Sequence, residues 1–218
     1  MTLKLYYHPL SSFCMKVLIA LYENTTPFEP VLVNLGDKTE RAAFLKLWPI
    51  GKFPLLQDTA RDWLVPESSI IIEYLAQHYP GPVKLVPDDA DAARQVRLRD
   101  RFFDLNVQVP MQKITGDWRR PDGSRDPLGV EQARAQMHTA CAMIEAEMAS
   151  RRWAMGEDFT MADCAAAPAL HYADRVTPLA GVFPNCAAYL ARLGERPSFA
   201  RVLKEAAPYF HLFPAEKK

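Results

Sequence analysis

Residues 8–17, "HPLSSFCMKV", place two hydroxyls and a thiol where a helix is expected to begin. A helix N-terminus carries unclaimed backbone N–H groups and the positive end of the helix dipole, so it favours an anion. Ser11 and Ser12 are therefore candidates to hold one. Cys14 follows Ser11 at the spacing of a redox Cys-x-x-Cys pair whose first, nucleophilic member has become serine. A cysteine in the first helical turn that faces the core behaves as a small hydrophobe, and packing is the preferred reading over redox chemistry. Further along, Glu67 and Ser68 open the apolar run "ESSIIIEYL", setting an acid and a hydroxyl beside a second helix start, although capping alone accounts for such a pair. Lys52 offers a cation within the loop "WPIGKFPLL". Thr160 and Asp163 stand three apart at the head of another apolar run, the spacing of a capping box, with Phe159 available as a hydrophobic staple. Their expected role is in folding rather than in catalysis.

These groups need elements to position them. Residues 3–7 read as a short strand ended by His8-Pro9, and Phe13, Val17, Ala20 and Leu21 recur at helical spacing to about Asn24. The run 27–35 reads as an edge strand, because Pro30 cannot donate to a central ladder. Strand, helix and strand within about 35 residues have the length of a βαβ unit with parallel strands. A short helix from Thr39 to Leu47, a hairpin through 54–66 and a helix from Glu67 complete a β-α-β-α-β-β-α order. Three prolines and a glycine interrupt residues 80–89, which marks a linker. Beyond it the chain reads as helices only: one capped by Asp88 or Asp89 and kinked or ended by Pro110, one over about Val130–Ser150, one from Met161, one through "NCAAYLARLG" and one over about Ser198–Ala206. The expectation is an α/β domain with a mixed sheet over 1–80, a linker over 81–88 and an all-helical bundle over 89–218.

Composition narrows the function classes. The 218 residues carry 26 Lys+Arg against 26 Asp+Glu, so no net charge points to nucleic acid or an acidic membrane surface. Hydrophobic content of 49% with 24% charged residues fits a soluble globular chain. No window approaches a membrane span or a signal peptide, and four scattered cysteines show neither zinc spacing nor a disulfide framework, so a cytoplasmic, metal-free protein is expected.

The order β-α-β-α-β-β-α followed by helices resembles the cytosolic glutathione transferases, whose first domain is thioredoxin-like. "SSFCMKVLIAL" is similar to the family's catalytic loop and first helix, "IGKFPLL" to its cis-proline segment, "ESSIIIEYL" to its Glu-Ser signature and "FTMADC" to its later capping box. The resemblance covers nearly the whole chain, and four motifs in order make it specific.

The resemblance implies a site for glutathione, which brings an α-amino group, two carboxylates and a thiol. Glu67 would pair with the α-amino group, and Ser68 would receive the γ-glutamyl carboxylate. Lys52 would meet the glycyl carboxylate, and a cis Phe53-Pro54 bond would turn the Phe53 backbone toward the cysteinyl part. Ser11, counted back from Lys16, falls at the position of the catalytic hydroxyl in the serine-type classes, with Ser12 as its rival. That hydroxyl would donate a hydrogen bond to the sulfur and favour its thiolate. Phe103, Met111, Trp118 and Phe210 are candidates for the pocket of an electrophilic second substrate, although aromatics at helical spacing are more often core. The apolar tail 208–214 either folds over a site or packs for stability.

The expected activity is transfer of glutathione to an electrophilic small molecule, by a homodimer. Glutathione-dependent isomerisation is the runner-up, although Phe13 stands where the zeta-type isomerases carry cysteine. Disulfide reduction is a further alternative, and a non-catalytic interaction module represents the other class.

Overall fold

The computed structural model describes residues 2–216. Four strands, β1 (Leu3–Tyr7), β2 (Glu29–Leu32), β3 (Leu55–Asp58) and β4 (Trp63–Pro66), form one sheet in the order β2-β1-β3-β4. β1 and β2 run parallel, while β1–β3 and β3–β4 are antiparallel, as the βαβ unit and the hairpin require. Pro30 sits on β2, an edge strand.

Helix α1 (Ser12–Glu23) is apolar nearly all round, because other helices cover it on several sides: Met15, Val17, Leu18, Ile19 and Leu21 are all buried. One side meets α3 (Ser68–His78), and another meets α7 (Met161–Val176), whose Ala162, Ala165, Ala166 and Ala169 are also buried. Helix α2 (Lys38–Leu47) is opened by Asp37 rather than Thr39, since the Asp37 carboxylate accepts the N–H groups of Thr39 and Glu40 at 2.8 and 2.9 Å.

The helical part begins at α4 (Ala90–Phe102), where Asp89 accepts the N–H of Ala92 at 2.8 Å. The regular helix stops at Phe102, and the chain stays helical past Pro110 only through a change of helix type. A π-helical segment, Phe103–Gln108, joins α4 to α5 (Val109–Trp118) and places Pro110 in the first turn of α5, where its missing N–H costs least. Helices α6 (Pro127–Met148), α8 (Pro184–Gly194) and α9 (Pro197–Ala206) complete the bundle, and a 3₁₀ segment, Ala207–Leu212, follows. The capping box of α7 forms as its spacing suggests. Asp163 accepts the N–H of Thr160 at 2.8 Å, the N–H of Ala154 at 2.8 Å and the hydroxyl of Tyr189 at 2.6 Å. Burial still pushes the Asp163 carboxyl up from its ordinary pKa, against the pull of these donors. No described helix is long and apolar enough to cross a membrane.

Candidate active site

The N-terminal β-α-β-α-β-β-α layer meets the helical part in a cleft built around the head of α1. Ser11 is the N-cap: its backbone is extended (φ −77°, ψ 118°), and its Oγ accepts the Cys14 N–H at 3.4 Å. That bond is long, so it commits the hydroxyl only weakly. Ser12 lies one position inside the helix, and its Oγ is buried with no hydrogen-bond partner. Cys14 is fully buried, and burial pushes its thiol up to about 12, so it is no thiolate at neutral pH. Its position matches packing rather than redox chemistry.

The loop ahead of Ser11 is pinned from two sides. His8 Nδ1 accepts the Leu10 N–H at 3.2 Å, while the Tyr172 hydroxyl on α7 donates to the Leu10 carbonyl at 2.8 Å. Burial lowers the His8 pKa, consistent with a neutral ring that accepts through Nδ1. Its ring also stacks on Phe53, with centroids 6.1 Å apart, and meets the edge of Tyr209 at 5.3 Å.

Two cavities open on either side of Phe53 and Gln112. The first, about 300 Å³, is lined by Lys52, Phe53, Pro54, Glu67 and Ser68, with Arg101 and Asp104 from the helical part. All five predicted glutathione contacts thus face one space. The Phe53-Pro54 bond is cis. Gly51, at φ +67°, makes the turn that presents Lys52. Glu67 itself sits at φ +69°, a left-handed conformation that L side chains seldom take, and it makes no side-chain cap to α3. Simple capping therefore does not account for Glu67. The first-turn N–H groups of α3 are left without a side-chain acceptor from their N-cap.

Beneath this cavity lies a buried charge cluster. Lys16, only 1% exposed, makes ion pairs with Asp100 at 2.6 Å and Asp104 at 2.9 Å, and bonds Ser69 Oγ at 2.9 Å. Ser69 in turn donates to Asp100 at 2.6 Å. Burial raises the Asp104 pKa despite Lys16, and the second carboxylate, Asp100, adds to the rise. The cluster ties α1, α3 and α4 together at the floor of the cleft, and Arg97 doubles the link between α3 and α4 with two hydrogen bonds to Glu73.

The second cavity, about 380 Å³, is lined by Ser11, Ser12, Phe53 and Tyr172 on one side and by Gln108, Met111, Gln112, Thr115, Gly116 and Arg119 on the other. Leu212, Phe213 and Pro214 of the tail close a further wall, and Phe213 stacks on Tyr172 at 5.3 Å and 13°. Of the four residues expected here, Met111 alone lines the space. Phe103 (2% exposed) and Trp118 (8%) point into the bundle core, because the π-helical segment and α5 turn that face toward their neighbours in the bundle. Phe210 packs under the tail against His171, with Arg175 4.4 Å over its ring. Gln108, Thr115, Arg119 and Tyr172 escaped sequence reasoning. The spacing of 108, 112, 115 and 119 is a polar stripe on one helical face, a signal that a search for aromatics passes over.

The two halves match family models described as "Glutathione S-transferase, N-terminal domain" over residues 5–83 and "Glutathione S-transferase, C-terminal domain" over residues 127–192. Among curated proteins, the chain is 28% identical over 189 residues to glutathione S-transferase GstB of Escherichia coli, covering 86% of this chain and 91% of that one. It is also 28% identical over 214 residues to a glutathione S-transferase of Pseudomonas putida, covering 94% of each. Among solved structures, a glutathione S-transferase of Methylobacillus flagellatus with glutathione bound superposes with a TM-score of 0.84 at 27% identity, covering 92% of this chain and 98% of that one. One from Methylobacterium radiotolerans, in complex with glutathione sulfonate, gives 0.81 at 28% identity, covering 92% and 93%. With the two models lying on the two structural halves in order, and relatives aligned across most of its length, this chain belongs to the glutathione S-transferase family.

Proposed function

We propose that the protein binds glutathione in the cavity of Lys52, Phe53, Pro54, Glu67 and Ser68, and activates its thiol at Ser11 for attack on an electrophile held in the adjoining cavity. The observation that carries this reading is the convergence of those five residues on one cavity that shares the Phe53 wall with the space beside Ser11. Glu67 supplies a carboxylate for the α-amino group. Ser68 and the free N–H groups of α3 suit the γ-glutamyl carboxylate, and Lys52, which has no carboxylate within 4.0 Å among the described residues, suits the glycyl one.

Ser11 fits the thiolate role better than Ser12. Both serines line the second cavity, but Ser11 is the partly exposed N-cap, whereas the Ser12 oxygen has almost no accessible surface. A free thiol of pKa about 8.5 is only about 3% ionised at pH 7. Lowering it by about two units takes roughly 2.7 kcal/mol of differential stabilisation. One hydrogen bond to a charged acceptor contributes roughly 1.5–3 kcal/mol, and the helix terminus roughly 0.3–1. The released proton passes to solvent. The thiolate then forms an S–C bond with the electrophile, by addition or with departure of a leaving group.

The exposed apolar side chains Trp63, Ile70, Leu98, Leu105 and Val109 lie on β4, α3, α4, the π-helical segment and α5, and they support a homodimer. The four cysteines are free and buried, which fits a reducing, cytoplasmic setting. Retention on immobilised glutathione, with elution by free glutathione and loss of retention in Glu67→Gln, tests the binding reading. Product analysis with 1-chloro-2,4-dinitrobenzene and with a glutathione mixed disulfide separates conjugation from reduction. A chain that ignores glutathione altogether would leave the reading without support.

A further inference from the structure

The cavity beside Ser11 is not the greasy slot that an apolar electrophile would fit. Gln108 is 2% exposed, lines this cavity, and its Oε1 is buried without a hydrogen-bond donor. A buried amide oxygen left unpaired is expensive, and a small turn of the Gln108 side chain toward the cavity would let a ligand supply the missing donor. Gln112 and Thr115 continue the polar face one turn further on, and Arg119 follows at the mouth.

Among the described residues, Arg119 is the one charged side chain lining this cavity. No carboxylate lies within 4.0 Å of its guanidinium among the described residues. Its Nη2 donates only to the Leu212 carbonyl of the tail, at 3.4 Å, which leaves most of its donor fork uncommitted. The acidic groups on neighbouring turns are taken elsewhere: Asp117 accepts the Asp126 N–H at 2.8 Å and faces Arg120 at 3.9 Å, and Asp126 pairs with Lys113. An open guanidinium at the rim and an orphaned carboxamide deeper in the same cavity describe a polar ligand with an anionic end.

Taking the glutathione reading above as given, we propose that the second substrate is an electrophile carrying a carboxylate, held by Arg119 at the cavity mouth, with Gln108 receiving a donor group nearer the reacting carbon. The carboxylate fits the guanidinium fork, and the Leu212 carbonyl gives up its bond to Arg119 as the anion enters. Specificity then rests on residues of α5 and the turn before it, rather than on an aromatic pocket.

Ethacrynic acid and its methyl ester share one enone and differ only in the carboxylate, so they make a matched pair of probes. The wild-type kcat/KM for the acid is expected to exceed that for the ester by about tenfold or more, the size of one charge-assisted hydrogen bond. Arg119→Gln removes that preference through KM for the acid, and Arg119→Lys keeps part of it. Calorimetric titration of the saturated, non-electrophilic acid and its ester, with S-methylglutathione present and absent, reads the same preference without turnover. Equal affinity for acid and ester, or a preference that survives Arg119→Gln, overturns the proposal. Conjugation of both probes without acid preference defeats this inference alone. Failure to bind S-methylglutathione defeats the glutathione reading, while the carboxylate preference is still measured directly.

Discussion

Replacing Ser11 by Ala removes two functions of one oxygen, and they separate by assay. The hydroxyl that would donate to the glutathione sulfur is lost, at roughly 1.5–3 kcal/mol for a bond to a charged acceptor, or about one to two pKa units at 1.36 kcal/mol per unit. The bound thiol then titrates higher. With a wild-type thiol near 6.5, the thiolate fraction at pH 6.5 falls about five- to fiftyfold, whereas above about pH 9 both proteins carry mostly thiolate and the loss shrinks toward parity. The helix cap is lost as well. Because the Cys14 N–H lies 3.4 Å from Ser11 Oγ, the cost sits at the low end of the cap range, about 0.5–1 kcal/mol, or a few degrees of Tm in a chain of this size. Ser11→Thr retains both functions and serves as the control. The assay is kcat/KM for 1-chloro-2,4-dinitrobenzene from pH 6 to 9, beside thermal melts of each variant. A Ser11→Ala loss that is the same at every pH would refute the thiolate argument. So would a pH shift that appears in Ser12→Ala instead.

Other consequences are as specific. Glu67→Gly relieves the left-handed strain at φ +69° and should raise stability by about 1 kcal/mol in denaturant melts while abolishing retention on glutathione; lower stability would mean that the conformation is not strained. Burial holds the His171 pKa down at about 4, with Arg175 pushing it the same way, so the folded ring stays neutral where the unfolded one protonates. Between about pH 6.5 and 4 the unfolded chain binds more protons, stability falls with pH, and the loss reaches about 2–3 kcal/mol at the acid end; His171→Leu should flatten that slope in urea melts. Asp163→Ala strands the Ala154 and Thr160 N–H groups and the Tyr189 hydroxyl, and should cost about 3–5 kcal/mol of unfolding free energy; a mild effect would show that water replaces the carboxylate.

Much of the fold was legible because local rules and tertiary needs agree. The edge position of β2 followed from Pro30, the hairpin from the polar residues between Leu55 and Val65, and the α7 cap from Thr160 and Asp163. Pro110 marked the irregular stretch, but periodicity did not reveal that the break takes the form of a π-helical segment ahead of it, with the proline in the first turn of α5. The glutathione side of the cleft was readable because its residues come in short contiguous motifs. The second cavity was not, since its lining comes from one face of α5, one tyrosine of α7 and the tail, far apart in sequence. Aromatic side chains were expected there, yet Phe103 and Trp118 fill the core while the glutamines and Arg119 face the space. Lys16 read as a mere landmark and turned out to anchor three helices from a buried position.

The central claim, that the head of α1 holds glutathione as a thiolate, is tested most directly by ultraviolet difference titration of the protein–glutathione complex at 240 nm, where thiolate absorbs. The account predicts a bound thiol that ionises near pH 6.5, about two units below the free value, and moves up by one to two units in Ser11→Ala. A bound thiol that still titrates near 8.5 in the wild-type complex would contradict it.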